Sequence, residues 1–194
     1  GERVKKYQLI GKSTEGDPAP VFAPVSGTVE KIASCKQLDD REALTIFLRN
    51  DKKGSAMALL DSSDKNDPGN ILKIIENAGI VGMGGAQFPT AKKYKLNGKK
   101  VKTFIINGVE CEPYLTADYA LMRHFSEEIF DGIIIIDKIL KAEEIVLAIE
   151  KKNEELKSHF DPLSRKEKYK KIRVQIVPDE YPQGGELQLI KTIT

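Results

Sequence analysis

The alternation of apolar and polar positions changes character partway along the chain. In the first sixty residues the apolar positions come in short β-prone runs, residues 7–10, 21–23, 27–33 and 43–48, separated by turn-forming Gly16-Asp17-Pro18 and Leu38-Asp39-Asp40. A small all-β module with little helix is expected there. The polar stretch 61–69, ending in Pro68-Gly69, is the best linker candidate. Beyond it the periodicity becomes helical. Asp67 can cap a helix whose first position is Pro68, with Ile71, Ile74, Ile75 and Ala78 on one face and Gly79 as the stop.

After a glycine cluster at 82–85, the β-branched run 101–106 predicts a strand, and 115–125 and 126–141 predict two helices. Residues 144–149 predict a second strand, 152–160 a short charged helix, and 172–177 a third strand with Ile172, Val174 and Ile176 alternating. Strands that alternate with helices imply an α/β class and a parallel sheet covered on both faces. Basic side chains outnumber acidic ones across 151–173, but the two signs are interspersed and aromatics are sparse, so a solvated helix and loop is expected.

Composition changes this picture little. The chain has 194 residues, 31 basic and 29 acidic side chains, a net charge of +2 and 40% hydrophobic residues, as a globular protein does. With a pI of about 8.4 from nearly cancelling charges, it lacks the basic footprint of a nucleic-acid partner. The longest apolar run, 133–136, is far short of the roughly 20 residues of a membrane helix. Two distant cysteines frame no disulfide scaffold and fit a reducing compartment. Position 1 is Gly, there is no secretory signal, and residues 189–194 break off inside a helical pattern, so a piece of a longer chain is expected.

The candidate chemistry lies in three glycine-containing loops. Gly82-Met83-Gly84-Gly85-Ala86-Gln87-Phe88-Pro89-Thr90 matches neither the dinucleotide fingerprint nor the phosphate-binding P-loop, but glycines this close let a backbone approach a ligand. An ordinary glycine turn is the plain alternative. Asn107-Gly108-Val109-Glu110-Cys111-Glu112-Pro113 follows the strand 101–106, and Tyr181-Pro182-Gln183-Gly184-Gly185-Glu186 follows the strand 172–177. Ligands of open α/β sheets bind at the carboxyl ends of strands, so one shared pocket is expected. Glu110, Glu112 and Glu186 are open to two roles, as a general acid/base pair or as acceptors for ribose hydroxyls. Cys111 is flanked by two carboxylates that disfavour its thiolate, and His124 and His159 have no partner at zinc-ligand spacing, so neither a catalytic thiol nor a metal site is expected.

Taken in order, these three motifs resemble the RnfC family of Rnf electron-transport complexes, and more distantly the flavin- and NADH-binding subunit of respiratory complex I. The segment Phe22-Ala23-Pro24-Val25-Ser26-Gly27-Thr28-Val29 is similar to the first hairpin of biotinyl/lipoyl-like barrel-sandwich domains, without their attachment lysine. The resemblance implies a barrel-sandwich module at residues 1–62. It implies a Rossmann-like, complex I flavoprotein-like domain at 68–194, incomplete at its C-terminus. It implies bound FMN with NAD(H) stacked on it. Gly82, Gly84, Gly85 and Lys93 would then line the flavin and its phosphate, and Asn107 and Glu110 would touch FMN. Phe88 would stack on adenine, Glu112 and Glu186 would hold NADH, and Tyr181 with Gly184 would close the flavin pocket.

The chain departs from the complex I pattern at Gln87, where that pattern has Gly, at Val109, where it has an acid, and at Gly185, where it has Glu. The family's [4Fe–4S] motifs would lie in the missing C-terminal part, so the fragment alone is expected to be inactive. The partners implied are other subunits of a membrane electron-transport complex and, indirectly, a ferredoxin-like carrier, with the protein peripheral on the cytoplasmic face. The alternatives are a soluble RnfC-like flavoprotein of the proline-reductase or cobalamin-reductase type, or a non-catalytic docking module.

Overall fold

The computed structural model describes residues 1–12, 20–58, 66–83 and 87–194. Internal contacts divide the chain into two units, residues 1–64 with 72–93, and residues 65–71 with 94–194. The linker expected at 61–69 lies partly outside the described residues, and the chain passes between the units again after Ile71 and after Lys93.

In the first unit a short strand outside the expected runs, β1 (Arg3–Val4), precedes the strands that the β-prone runs form, β2 (Leu9–Gly11), β3 (Val21–Phe22), β4 (Gly27–Lys36) and β5 (Glu42–Asn50). They make an antiparallel sheet in the order β1-β4-β5 and a separate β2-β3 pair, and among the described residues the strands close no barrel. Gly27 begins β4 beside Asn50 of β5, where a Cβ would lie 1.9 Å from the Arg49 carbonyl oxygen. Buried Ser26 pins the strand ends by donating to Asp51 (2.7 Å) and accepting from the Ser55 amide (3.1 Å).

The helix α1 (Pro68–Asn77) is capped as its sequence implies, the Asn70 amide donating to Asp67 Oδ2 at 2.7 Å. It stops at Gly79, whose φ of +66° is left-handed. A short helix, α2 (Thr90–Lys93), follows the first glycine loop.

The second unit is built on β6 (Thr103–Gly108), β7 (Glu144–Glu150) and β8 (Ile172–Val177), all parallel and in that order. Between β6 and β7 lie α3 (Ala117–His124) and α4 (Ser126–Leu140), between β7 and β8 lies α5 (Glu155–Ser164), and α6 (Glu186–Ile193) follows β8. The expected helix at 152–160 begins instead with a 3-10 turn at Lys151–Asn153, and α5 runs on through Pro162. Pro162 has no N–H to donate to the Ser158 carbonyl, so α5 lacks one rung of its hydrogen-bond ladder there.

The β7 strand is buried on both faces, as the central strand of a covered parallel sheet must be. Ile145, Leu147 and Ile149 face a cluster with Met122, Phe130, Ile133, Leu156, Phe160 and Tyr169 from α3, α4, α5 and the turn before β8. The opposite face of β7 presents Ala148, which packs with Val109, Val177 and Leu189 of α6. At full burial each such aliphatic side chain stabilises by about 1.5–3 kcal/mol.

Candidate functional site at the carboxyl ends of the parallel strands

Asn107 lies near the end of β6. Its Nδ2 donates to the Gly184 carbonyl at 3.0 Å while its Oδ1 accepts from the Val109 amide at 3.1 Å. One amide therefore ties the second and third loops together across 77 positions of sequence. The contact is close enough that a Cβ on Gly184 would lie 2.8 Å from the Val109 oxygen and 3.2 Å from Cys111 Sγ. Glycine is required at 184 by this approach and not by an unusual φ.

Glu110 is 6% exposed, and its carboxylate is directed at α3. Oε1 accepts from the Asp118 amide (2.7 Å) and Oε2 from the Tyr119 amide (3.1 Å). These are two of the orphan donors at a helix start, and Thr116, the residue before the helix, supplies no side-chain cap. The Asp118 carboxyl titrates above the usual carboxylate range, because burial disfavours its charged form and the Glu110 charge adds to the effect.

The main chain of Glu110 is held as well. Its amide donates to Glu150 Oε2 at 3.1 Å, and its carbonyl accepts from Lys152 Nζ at 2.8 Å. The same ammonium pairs with Glu150 Oε2 at 3.0 Å, and the Lys152 amide donates to Asp179 at 2.9 Å. Glu150 is only 1% exposed. Glu150, Lys152 and Asp179 were not singled out from sequence. The available signal was position, since a charged residue directly after the apolar run 145–149 sits at the carboxyl end of the middle strand.

Three further groups on the joined loops are open to solvent. Glu112 and Glu186 are exposed, the latter in the first turn of α6, and Tyr181 is 76% exposed. Gln183 is buried and donates to Thr192 of α6 at 2.9 Å, which fixes the loop to its helix.

The first glycine loop belongs to the first unit. The Gly82 amide donates to the Phe88 carbonyl at 2.9 Å, Phe88 is half exposed, and Lys93 is exposed at the end of α2. Gly84 and Gly85 lie outside the described residues. Gln87, at the position where the complex I pattern has glycine, has a φ of +49°, in the left-handed region that glycine favours. A Cβ on Gly82 would meet nothing closer than the Phe88 oxygen at 3.8 Å. Among the described residues nothing demands glycine at 82, and its absent side chain leaves the backbone open to approach from them. The structure thus brings Asn107, Glu110 and Gly184 together within one unit, and Gly82 and Phe88 together within the other.

The basic stretch 151–173 is solvated, as expected, and its lysines also pair across the surface. Lys166 and Lys168 pair with Glu127 and Asp131 of α4, Lys171 pairs with Asp137, and Lys152 belongs to the site.

A parallel sheet with its polar loops gathered at the strands' carboxyl ends defines an α/β protein of the open-sheet class. Comparison with known proteins refines that class. A family model described as the Nuo51 FMN-binding domain matches residues 75–194, and one described as the RnfC Barrel sandwich hybrid domain matches residues 1–53. This chain belongs to the Nuo51 FMN-binding domain family, in the form carried by RnfC-type subunits.

Relatives include the C-subunit of the ion-translocating oxidoreductase complex of Vibrio cholerae, 37% identical over 100% of this chain and 25% of the relative. The C-subunit of the proton-translocating ferredoxin:NAD(+) oxidoreductase complex of Clostridium ljungdahlii is 38% identical over 100% of this chain and 43% of the relative. The chain therefore spans less than half the length of these relatives. An NAD+-reducing [NiFe]-hydrogenase in its air-oxidized state shares the fold at a TM-score of 0.58 and 26% identity, over 68% of this chain and 24% of that one. Among the described residues no helix is long and apolar enough to cross a membrane.

Proposed function

We propose that this chain is the FMN- and NAD(H)-binding portion of an RnfC-type electron-transport protein. The observation that carries the reading is the Asn107–Gly184 hydrogen bond, which joins two strand-end loops and leaves Glu112, Glu186 and Tyr181 facing solvent from them. The groups present suit such ligands. The two exposed carboxylates can accept hydrogen bonds from ribose hydroxyls, the Tyr181 ring offers a flat apolar face, and Gly82 leaves room for a backbone approach. When bound, FMN supplies the exchange between a two-electron nicotinamide donor and one-electron iron–sulfur acceptors. The residues of this chain orient and hold, and no side chain is required as acid or base.

In this reading Lys93 and the 82–85 loop hold the phosphate side, Asn107 sets the loop beside the flavin, Phe88 stacks on adenine, and Glu112 and Glu186 hold the nicotinamide nucleotide. The iron–sulfur acceptors and the other subunits lie beyond this chain, and the assembly sits at the cytoplasmic face of the membrane. Titration of the chain with FMN, followed by quenching of flavin fluorescence, tests the first half; absence of binding overturns it. Glu112→Ala tests the second. NADH affinity is expected to fall about tenfold, as for loss of a hydrogen bond to a charged group, with FMN affinity kept. Equal loss of both contradicts the assigned roles.

A further inference from the structure

We propose that Glu150 and Lys152 are positioning residues for the flavin site, acting through the main chain of Glu110. The inference rests on the FMN reading above and goes beyond it, since neither residue belongs to the motifs that carry the resemblance. The geometry is a two-sided clamp. Buried Glu150 takes the Glu110 amide on one side of the residue, and Lys152 donates to the Glu110 carbonyl on the other. The two side chains pair with each other at 3.0 Å, so neither can shift without releasing the other. Glu150 ends β7, the most deeply buried strand, Lys152 lies in the 3-10 turn directly after it, and the Lys152 amide is itself anchored to Asp179.

The clamp adds to what the Glu110 carboxylate does. With its carboxylate on α3, its amide on Glu150 of β7 and its carbonyl on Lys152 of the turn that follows, Glu110 is held at both side chain and main chain, and the 107–112 loop is set before a ligand arrives. Such preorganisation lowers the ordering cost of binding. The bond from the Glu110 amide ends on a carboxylate that is 1% exposed, where a charge-assisted hydrogen bond is strong, while the half-exposed Lys152 contributes through two acceptors at once.

The test uses the 194-residue chain with Lys152→Met, Lys152→Arg, Glu150→Gln and the double variant Glu150→Gln/Lys152→Met. The double variant leaves no unpaired buried charge and so guards against simple failure to fold. Three readouts are taken well below the melting temperature: circular dichroism, hydrogen exchange at the Glu110 amide, and FMN affinity by fluorescence quenching. The clamp predicts faster Glu110 exchange in Lys152→Met and in the double variant, and FMN affinity about tenfold weaker in both. Lys152→Arg, which keeps donors for both acceptors, is expected to restore most of the affinity, and Glu150→Gln to fall between. Unchanged exchange, or unchanged FMN affinity in a folded Lys152→Met protein, overturns the proposal. A wild-type chain that takes up no FMN overturns the reading beneath it, an outcome separate from any difference among the variants.

Discussion

At Gly184 a single hydrogen atom in place of a side chain decides whether two loops can meet. A Cβ would press on the backbone oxygen of Val109, which cannot swing away as a flexible side-chain tip could. Gly184→Ala is therefore expected to destabilise the chain by about 1–3 kcal/mol, the range of small overpacking changes, and to weaken FMN binding. Gly132 makes the contrast. It lies inside α4, and nothing stands within 4 Å of its Cβ position, so Gly132→Ala is expected to stabilise by about 0.5–1 kcal/mol through backbone entropy and helix propensity. Urea midpoints that moved the same way for both would contradict this reading of the two glycines.

Asp118 gives a residue-level prediction in pH. Its folded-state pKa is raised, first by burial and then by Glu110, so ionising it costs stability. Its contribution is full below the unfolded pKa and is lost as pH rises through the folded one. Asp118→Asn should accordingly be more stable than the parent at pH 7, with the difference shrinking as pH falls toward about 4. Unfolding midpoints measured across that range check the sign. Gly184 was visible in sequence as part of a glycine loop, but the reason for it was not. The Val109 oxygen that excludes a side chain arrives from 75 positions away, and no local pattern reports it.

At the level of the elements, much was legible. The 3.6-residue recurrence of Phe130, Ile133 and Ile134 marks α4, and the β-branched runs mark β6, β7 and β8, because burial of one helix stripe or a whole strand needs those spacings. The elements packed on α4 show where its stability resides. Phe130 is fully buried against Phe160 and Tyr169, with ring centroids 5.5 and 5.2 Å away, while Lys166 and Lys168 meet Glu127 and Asp131 in half-exposed pairs. Phe130→Ala is expected to cost about 3–5 kcal/mol and Lys166→Ala less than about 1 kcal/mol, read as shifts in the denaturation midpoint. Sequence placed the charges of 151–173 in water. What it lacked was the facing row of carboxylates on α4, which reaches those lysines only after β7 and α5 have brought the chain back.

For the molecule as a whole, a ligand taken up only by the folded state raises its stability by mass action. FMN at one hundred times its dissociation constant is expected to stabilise the chain by about 2.7 kcal/mol, seen as a concentration-dependent rise in melting temperature. A melting temperature indifferent to FMN would count against the proposed function. The sequence by itself determined the family, the order of the three loops and the alternation of strands and helices, because these are properties of neighbouring residues and of motifs in fixed order. Only the tertiary structure decided what the loop residues do. It turned Glu110 toward α3, placed Glu150 and Lys152 around its peptide groups, and made Gly184 necessary. Each depends on donors and acceptors that are 8 to 77 positions apart in the chain and become neighbours only when the parallel sheet forms.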